Sequence, residues 1–301
     1  MRWFSPSSAS VLLYSIAIAN GFCADLRGEN SLMSDLIVKG IPVADETLVV
    51  RLPSPTMSQG MSADDQRLAM NAIAGDTELE RFTKKSIVSP FILKIGGVAD
   101  LPDRGHVQQL DLWFVAHGTL KDIDNKKLFQ ELAVPTKSKV NGLIEEARPL
   151  TSEELTERKL QLIEQQGDSQ ISYGILRTNV LDKVYVTGIT FTKGERFDDQ
   201  LTMAFRLDHR FKDDMSLPAR WYPLTENEVG EAKLGAASPY TVAAAYVQAT
   251  PLKFAEEAIL IEIHLVFSEP YGWFEGRNLL RSKLPPLVQD AVRTFRRKLS
   301  Q

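Results

Sequence analysis

The chain has 301 residues, of which 44% are hydrophobic and 25% are charged, and its formal net charge is −4. This composition is typical of a globular protein and excludes collagen-like and low-complexity chains. The mild acidity argues against nucleic-acid binding, because nucleic-acid-binding domains are usually strongly basic.

The N-terminus has the pattern of a secretory signal peptide. Arg2 supplies a positive charge, an apolar run follows at 11–19, and small residues lead to Ala24 before the polar Asp25. The apolar run is too short to span a bilayer, and no later stretch reaches about 18 uninterrupted apolar residues. We therefore predict a cleaved signal peptide at 1–24, a secreted or periplasmic protein, and no transmembrane segment after cleavage.

Cleavage after Ala24 would also remove Cys23, the single cysteine of the chain. The mature protein would then have no disulfide, and it would offer no thiolate for metal binding or catalysis. Lipidation of Cys23 is the alternative, but Phe22 stands where a small residue is wanted.

Apolar periodicity and turn residues predict the elements of the mature chain. Residues 25–46 are expected to be extended or loose, and Ser62 is the expected N-cap of a helix that ends at Gly75 and buries Leu68, Ala69 and Ile73. The other helices are predicted at 77–85, 125–132, 152–165 and 278–299, the last with an internal Pro285-Pro286 and an apolar stripe. Strands are predicted at 47–52, 91–95, 107–119, 171–177, 183–192, 200–207, 241–249 and 258–267.

Two of these strands alternate between an apolar and a mixed face. In the strand at 107–119, Leu112 and Phe114 share one face while Asp111 and His117 share the other. In the strand at 258–267, Glu262 and His264 lie together on the second face. We interpret these second faces as the solvated side of the sheet.

Residues 121–168 are rich in polar residues and contain too few apolar ones for a core of their own. We interpret this segment as a mainly helical insertion in a single α+β domain that spans 25–301. The segment 209–240 is interpreted as a long loop.

The C-terminal part of the chain resembles the START-type lipid-transfer and polyketide-cyclase superfamily, which has the helix-grip fold. The resemblance rests on the strand ending at Phe267, the aromatic turn 269–274 that contains Gly272, and the helix that ends Phe295-Arg296-Arg297-Lys298-Leu299. It covers about the last 45 residues, and the rest of the chain agrees in element order only.

This resemblance implies a curved antiparallel sheet around the C-terminal helix, with a cavity for an apolar ligand between them. Trp273 is added to the candidate ligand-binding residues because its ring could stack on a lipid. The candidate set is Met203, Phe205, Ile261, Ile263, Leu265, Trp273, Val288, Ala291 and Phe295. The same residues would serve equally in a filled core without a pocket.

Catalytic motifs are absent from the sequence. There is no G-x-S-x-G elbow, no H-E-x-x-H helix and no nucleotide-binding glycine loop. His117 and Asp111 lie about 20 Å apart along one strand and cannot touch. The pairs Asp198-Asp199 and Asp213-Asp214 are expected to be solvated loop residues, so we predict no catalytic residue, no metal and no cofactor.

Three functions remain open. The first is an exported, non-enzymatic protein that binds a hydrophobic or amphipathic ligand such as a lipid. The second is a structural or interaction module of the cell envelope without a ligand cavity. The third is a hydrolase whose site is assembled from dispersed residues.

Overall fold

The computed structural model describes residues 30–43, 48–75, 77–101, 105–125, 128–131, 138–140, 143–160, 169–197, 199–226, 232–274 and 279–301. The predicted signal peptide at 1–24 lies outside these residues. The helices are α1 Ser31–Val38, α2 Ala63–Ala74, α3 Leu79–Phe82, α4 Leu120–Asn125, α5 Leu128–Glu131, α6 Ser152–Glu157 and α7 Leu279–Leu299. The strands are β1 Ile41–Val43, β2 Leu48–Val50, β3 Phe91–Leu101, β4 Gly105–His117, β5 Ser138–Val140, β6 Leu143–Pro149, β7 Ser169–Val180, β8 Val184–Phe197, β9 Gln200–Leu207, β10 Arg220–Glu226, β11 Ala232–Leu234, β12 Ser238–Pro239, β13 Ala243–Pro251 and β14 Ala258–Pro270.

One large antiparallel sheet dominates the structure, with the strand order β3-β4-β14-β13-β9-β8-β7-β6-β5. β9 pairs with one half of β8 and β10 with the other half, and β11 and β12 pair with β10. The sheet does not close on itself. The α+β class, with a large antiparallel sheet and a long C-terminal helix, is therefore confirmed.

The helix α7 packs on one face of the sheet, which we name the helix face. Phe295 of α7 meets Phe114 of β4 edge to face, with the ring centroids 5.4 Å apart. The predicted alternation of β4 is confirmed, because its apolar face lies in this core. The helix contributes the buried residues Leu280, Leu284, Val288, Val292, Phe295 and Leu299.

The opposite face of the sheet is covered by residues from the 30–86 part of the chain, and we name it the strap face. The N-terminal strap, defined as residues 30–43 and 48–57, crosses it together with α2 and α3. Val115 and Leu260 pack there against Met70 and Phe82. The prediction of a solvated second face was therefore wrong, because the sheet is buried on both sides.

The helix α2 confirms its predicted cap, and two of its three predicted inner residues, Ala69 and Ile73, pack against the core of the strap face. The Ser62 hydroxyl accepts a hydrogen bond from the Asp65 N–H at 3.2 Å. Leu68 is 72% exposed, whereas Gln66 is buried. Gln66 donates to the Pro251 carbonyl at 3.2 Å, so its amide is satisfied inside the protein, and hydropathy alone could not show this.

Several elements were missed by the sequence analysis. α1 lies in the segment expected to be extended or loose, where, among the described residues, only β1 is extended, and β10 to β12 lie in the segment expected to be a loop. β5 and β6 lie in 121–168 and extend the sheet, so the described part of that segment is not only helical. Its interpretation as an insertion in a single domain stays a prediction.

The turns between β7, β8 and β9 also differ from expectation. The segment Lys193-Gly194-Glu195, which falls between the strands predicted at 183–192 and 200–207, lies inside β8. The β7–β8 hairpin turns at Leu181 and Asp182, which both have positive φ. This is the backbone geometry of a type I′ turn, and Leu181 gives no sequence signal for it.

Arg296 is buried on α7, although an arginine is seldom buried completely. Its guanidinium donates to the carbonyls of Val115 at 2.8 Å, Ser89 at 2.5 Å and Pro90 at 2.9 Å. Burial lowers the pKa of Arg296 to about 10. The residue therefore ties the last turns of α7 to β4 and to the start of β3.

Among the described residues, no helix is long and apolar enough to cross a membrane.

Candidate functional site

A groove of about 1170 Å³ opens where the N-terminal strap meets the ends of β9, β10 and β12. The strap contributes one wall through α1 and β1, and the turn after β14 contributes Tyr271. Gly40 joins α1 to β1 with φ +78°, and a Cβ atom there would lie 2.7 Å from the Val50 carbonyl oxygen. Only glycine fits this turn without strain, so Gly40 fixes the path of that wall.

The floor of the groove is apolar and aromatic. Its side chains are almost completely buried, which means that they already belong to the cores of the two sheet faces. The apolar lining comprises Leu36, Ile41, Val43, Leu101, Leu207, Ala219, Trp221 and Tyr240. Beside this buried floor, the exposed lining residues Pro42, Pro239 and Tyr271 offer the apolar surface that an alkyl chain or a ring of a ligand would contact.

Charged residues line the same groove, and two of its arginines are held in ion pairs. Arg210 contacts Asp208 at 2.6 Å, and Arg220 contacts Asp213 at 2.8 Å. Asp208 also accepts from the backbone N–H of Arg210 at 3.1 Å. These pairs hold their guanidinium groups in place beside the apolar floor.

A second cavity, of about 510 Å³, lies on the other side of the turn after β14. Glu269 lines it and accepts a hydrogen bond from Gln108 at 2.7 Å. Burial raises the pKa of Glu269. Trp273 also lines this cavity. Its indole N–H is buried and has no hydrogen-bond partner among the described residues.

The nine candidate ligand-binding residues lie together on the helix face. Eight of them are buried, and Ala291 is partly buried against the same core. Trp273 lines the second cavity, whereas neither the groove nor that cavity is lined by the other eight. Their assignment as ligand-binding residues stays a prediction.

The strap face carries a buried polar cluster, which consists of Asp111, Glu262 and His264. Asp111 lies directly opposite His264 in the pairing of β4 and β14. The His264 Nδ1 atom is 2.7 Å from the Asp111 carboxylate, and its Nε2 atom is 3.5 Å from the Glu262 carboxylate. Burial alone would lower the pKa of His264, but the hydrogen bonds to both carboxylates reverse this effect, and the pKa is raised.

This polar cluster holds the strap by its backbone. The Glu262 carboxylate accepts from the N–H groups of Thr56 at 2.8 Å and Met57 at 3.4 Å. The Gln248 amide donates to the Met57 carbonyl at 2.6 Å, and the Tyr246 hydroxyl donates to the Pro53 carbonyl at 2.8 Å. The arrangement is therefore a clasp for an irregular segment, in which buried side chains satisfy backbone groups.

The cluster combines a histidine with two carboxylates, as general acid–base sites do, but it is closed to ligands. Glu262 and His264 are 0% and 1% exposed, and neither the groove nor the second cavity is lined by them. A hydrolase that used this cluster would need an open cleft here, because an acid or base must reach its substrate. The cluster therefore gives no support to the hydrolase hypothesis.

The acidic residues of the two Asp-Asp pairs do not come together in one site. Asp214 is bound to Arg158 at 3.0 Å, and Asp199 accepts from the Gly60 N–H at 3.2 Å, while Asp198 lies outside the described residues. In the part of the chain that the structure describes, no group of three or more His, Cys, Asp or Glu side chains is arranged so that it could hold a metal ion. The tryptophans Trp113, Trp221 and Trp273 are all buried.

Comparisons with known proteins place no family name on this geometry. No protein-family model matches the chain, and no curated protein matches it. Among solved structures, an uncharacterised protein from Rhizobium leguminosarum is 9% identical, with 69% of this chain and 99% of that chain covered and a TM-score of 0.26. A likeness this low establishes neither a shared fold nor a shared function.

Proposed function

We propose that this chain is an exported, non-enzymatic protein that binds a hydrophobic or amphipathic ligand, such as a lipid, in the groove beside the N-terminal strap. The observation that carries the proposal is the groove itself, which combines a volume of about 1170 Å³ with an apolar floor. Small-molecule sites typically have volumes of about 300–1,000 Å³ and are mostly apolar, so the groove is large enough for a lipid chain.

Export remains part of the proposal through the signal-peptide pattern at 1–24. A cleaved leader would deliver the chain to the periplasm or the exterior. The helix-grip architecture belongs to the proposal in the same way, with the sheet curved around α7. In that architecture the ligand would lie beneath the helix, among residues such as Ile261 and Val288, rather than in the groove.

These two positions make different predictions for two substitutions to tryptophan. Thr241 is half-buried in the groove lining, and Thr241→Trp would fill that space. Ala291 is half-buried against the core beneath α7, and Ala291→Trp would fill any space there. Thr294→Trp, at an exposed position of α7, is the matched control.

The experiment is native mass spectrometry of the mature protein from the exported fraction, with an organic extract of the same sample analysed for lipids. A stoichiometric apolar molecule that is lost in Thr241→Trp and retained in both other variants supports the groove. Loss in Ala291→Trp alone would move the ligand beneath the helix. An apo mass with no uptake from a lipid mixture would refute ligand binding and favour the interaction module.

A further inference from the structure

Two of the cations that line the groove differ from the ion-paired arginines beside them. Arg206 and Lys212 are exposed, and neither forms an ion pair with a carboxylate of the described residues. Arg206 lies over the Phe191 ring, with 5.9 Å from its guanidinium carbon to the ring centroid. This contact does not neutralise the guanidinium, because the ring carries no net charge.

The remaining charges of the lining leave an excess of positive charge. Arg210 and Arg220 are balanced by Asp208 and Asp213, one carboxylate for each guanidinium. The positive charges of Arg206 and Lys212 are then uncompensated within the groove lining, although the whole chain has a net charge of −4. The local charge is therefore opposite in sign to that of the protein.

His209, which also lines the groove, responds to this field. Burial lowers the pKa of His209 most, and the positive charges of Arg206 and Lys212 lower it further against the opposing effect of Asp208. The imidazole is thus close enough to both cations to report on them. A bound anion would reverse their contribution and raise the pKa of His209.

We propose that the ligand of the groove carries an anionic headgroup, a carboxylate or a phosphate, on a single apolar chain. The headgroup binds Arg206 and Lys212, and the chain lies on the apolar floor that ends at Trp221 and Tyr240. This inference rests on the proposed function, because it assigns the chemical class of the ligand in the same groove.

The groove complements such a ligand at both of its ends. An arginine fork and a lysine ammonium match a carboxylate or phosphate through charge-assisted hydrogen bonds. The two free cations would receive the headgroup, while Asp208 and Asp213 are already neutralised and would repel it little. A neutral ligand would gain nothing from these cations.

The test compares the affinities of four probes for the full mature chain by isothermal titration calorimetry. The probes are dodecyl phosphate, dodecan-1-ol and inorganic phosphate, and dodecanoate distinguishes a carboxylate from a phosphate headgroup. We expect the anionic amphiphiles to bind at least about tenfold more tightly than the alcohol. We expect Arg206→Gln/Lys212→Gln to remove this difference while leaving the affinity for the alcohol unchanged.

The control variant is Arg293→Gln/Arg297→Gln, which removes two cations from α7 outside the groove. Nuclear magnetic resonance titration of His209 gives a second readout. We expect the pKa of His209 to rise when dodecyl phosphate is bound and to stay unchanged when dodecan-1-ol is bound. His117, which ends β4 outside the groove, is the internal reference.

The outcomes separate the inference from the proposed function. Equal affinities for the alcohol and the anionic amphiphiles, or an unchanged pKa of His209, would overturn the anionic headgroup and leave ligand binding intact. Inorganic phosphate that binds as tightly as dodecyl phosphate would overturn the apolar chain. Absence of binding by every probe would refute both proposals.

Discussion

Substitution of Glu262 by glutamine tests the clasp that holds the N-terminal strap. The carboxylate is completely buried and receives N–H groups from Thr56 and Met57 and from the Gln248 side chain. Glutamine has the same shape, but it carries one oxygen in place of two and adds an NH₂ group. At least one backbone N–H would then face another donor inside the protein.

The magnitude follows from the lengths of these hydrogen bonds. The bond from Thr56 is 2.8 Å long and charge-assisted, so its loss costs about 1.5–3 kcal/mol. If the glutamine oxygen instead keeps the bond from Thr56, the donors of Gln248 and Met57, at 3.3 and 3.4 Å, face the new NH₂ group, and leaving such buried donors unsatisfied costs about 1–3 kcal/mol. In either orientation we therefore expect Glu262→Gln to lower the free energy of unfolding by about 1–3 kcal/mol, within the 5–15 kcal/mol that a folded domain has.

Two measurements check this expectation. Urea unfolding followed by circular dichroism gives the free energy, and hydrogen exchange gives the protection of the Thr56 and Met57 amides. Glu257→Gln is the control, because Glu257 is exposed and its ion pair with Lys85 should contribute nothing measurable. A loss below about 1 kcal/mol together with unchanged exchange at Thr56 would show that Glu262 does not hold the strap.

Three further predictions concern other parts of the structure. The pKa of His264 is raised in the folded protein, so the stability that its protonation contributes is complete below the unfolded pKa of about 6.5 and is lost as the pH rises through the folded pKa. The free energy of unfolding, measured from pH 6 to 9, should therefore decrease in the wild type and not in His264→Gln. Arg296→Met should lower the free energy of unfolding by about 2–4 kcal/mol, because three buried carbonyls lose their donor; a calorimetric melting temperature within about 2 °C of wild type would refute this role. Gly40→Ala should cost about 1–3 kcal/mol through its positive φ, as judged from the urea midpoint, whereas Gly97→Ala, with open space at Cβ, should cost less than about 1 kcal/mol.

Local sequence patterns predicted the strands and the helix in which apolar residues recur at a regular spacing. The alternation of β4 and β14 and the stripe of α7 placed Phe114, Ile261 and Phe295 correctly in one core, since each needs only its own neighbours in sequence. The polar partners of the strap face gave no such signal. Glu262 is buried because residues about 200 positions earlier supply its hydrogen-bond donors, as in the bond from Thr56.

The groove could not be predicted for a related reason. Its walls come from segments that the sequence analysis left without regular structure, namely the strap around Ile41 and the chain that enters β10 near Trp221. Both are short or edge elements in which proline and polar residues hide the strand pattern. The place of Trp221 in the lining depends on the pairing of β10 with β8, which no local pattern shows.

The strand order also determines when the protein can fold during its synthesis. β4 ends at His117, but its second neighbour is β14, which begins at Ala258, so about 140 residues must be made between them. At about 5–20 residues per second, the β3–β4 hairpin waits roughly 7–28 s on the ribosome with an unpaired edge. A nascent chain in this state is open to chaperones and to edge-to-edge association, and the sheet can be completed only after the last third of the chain has emerged.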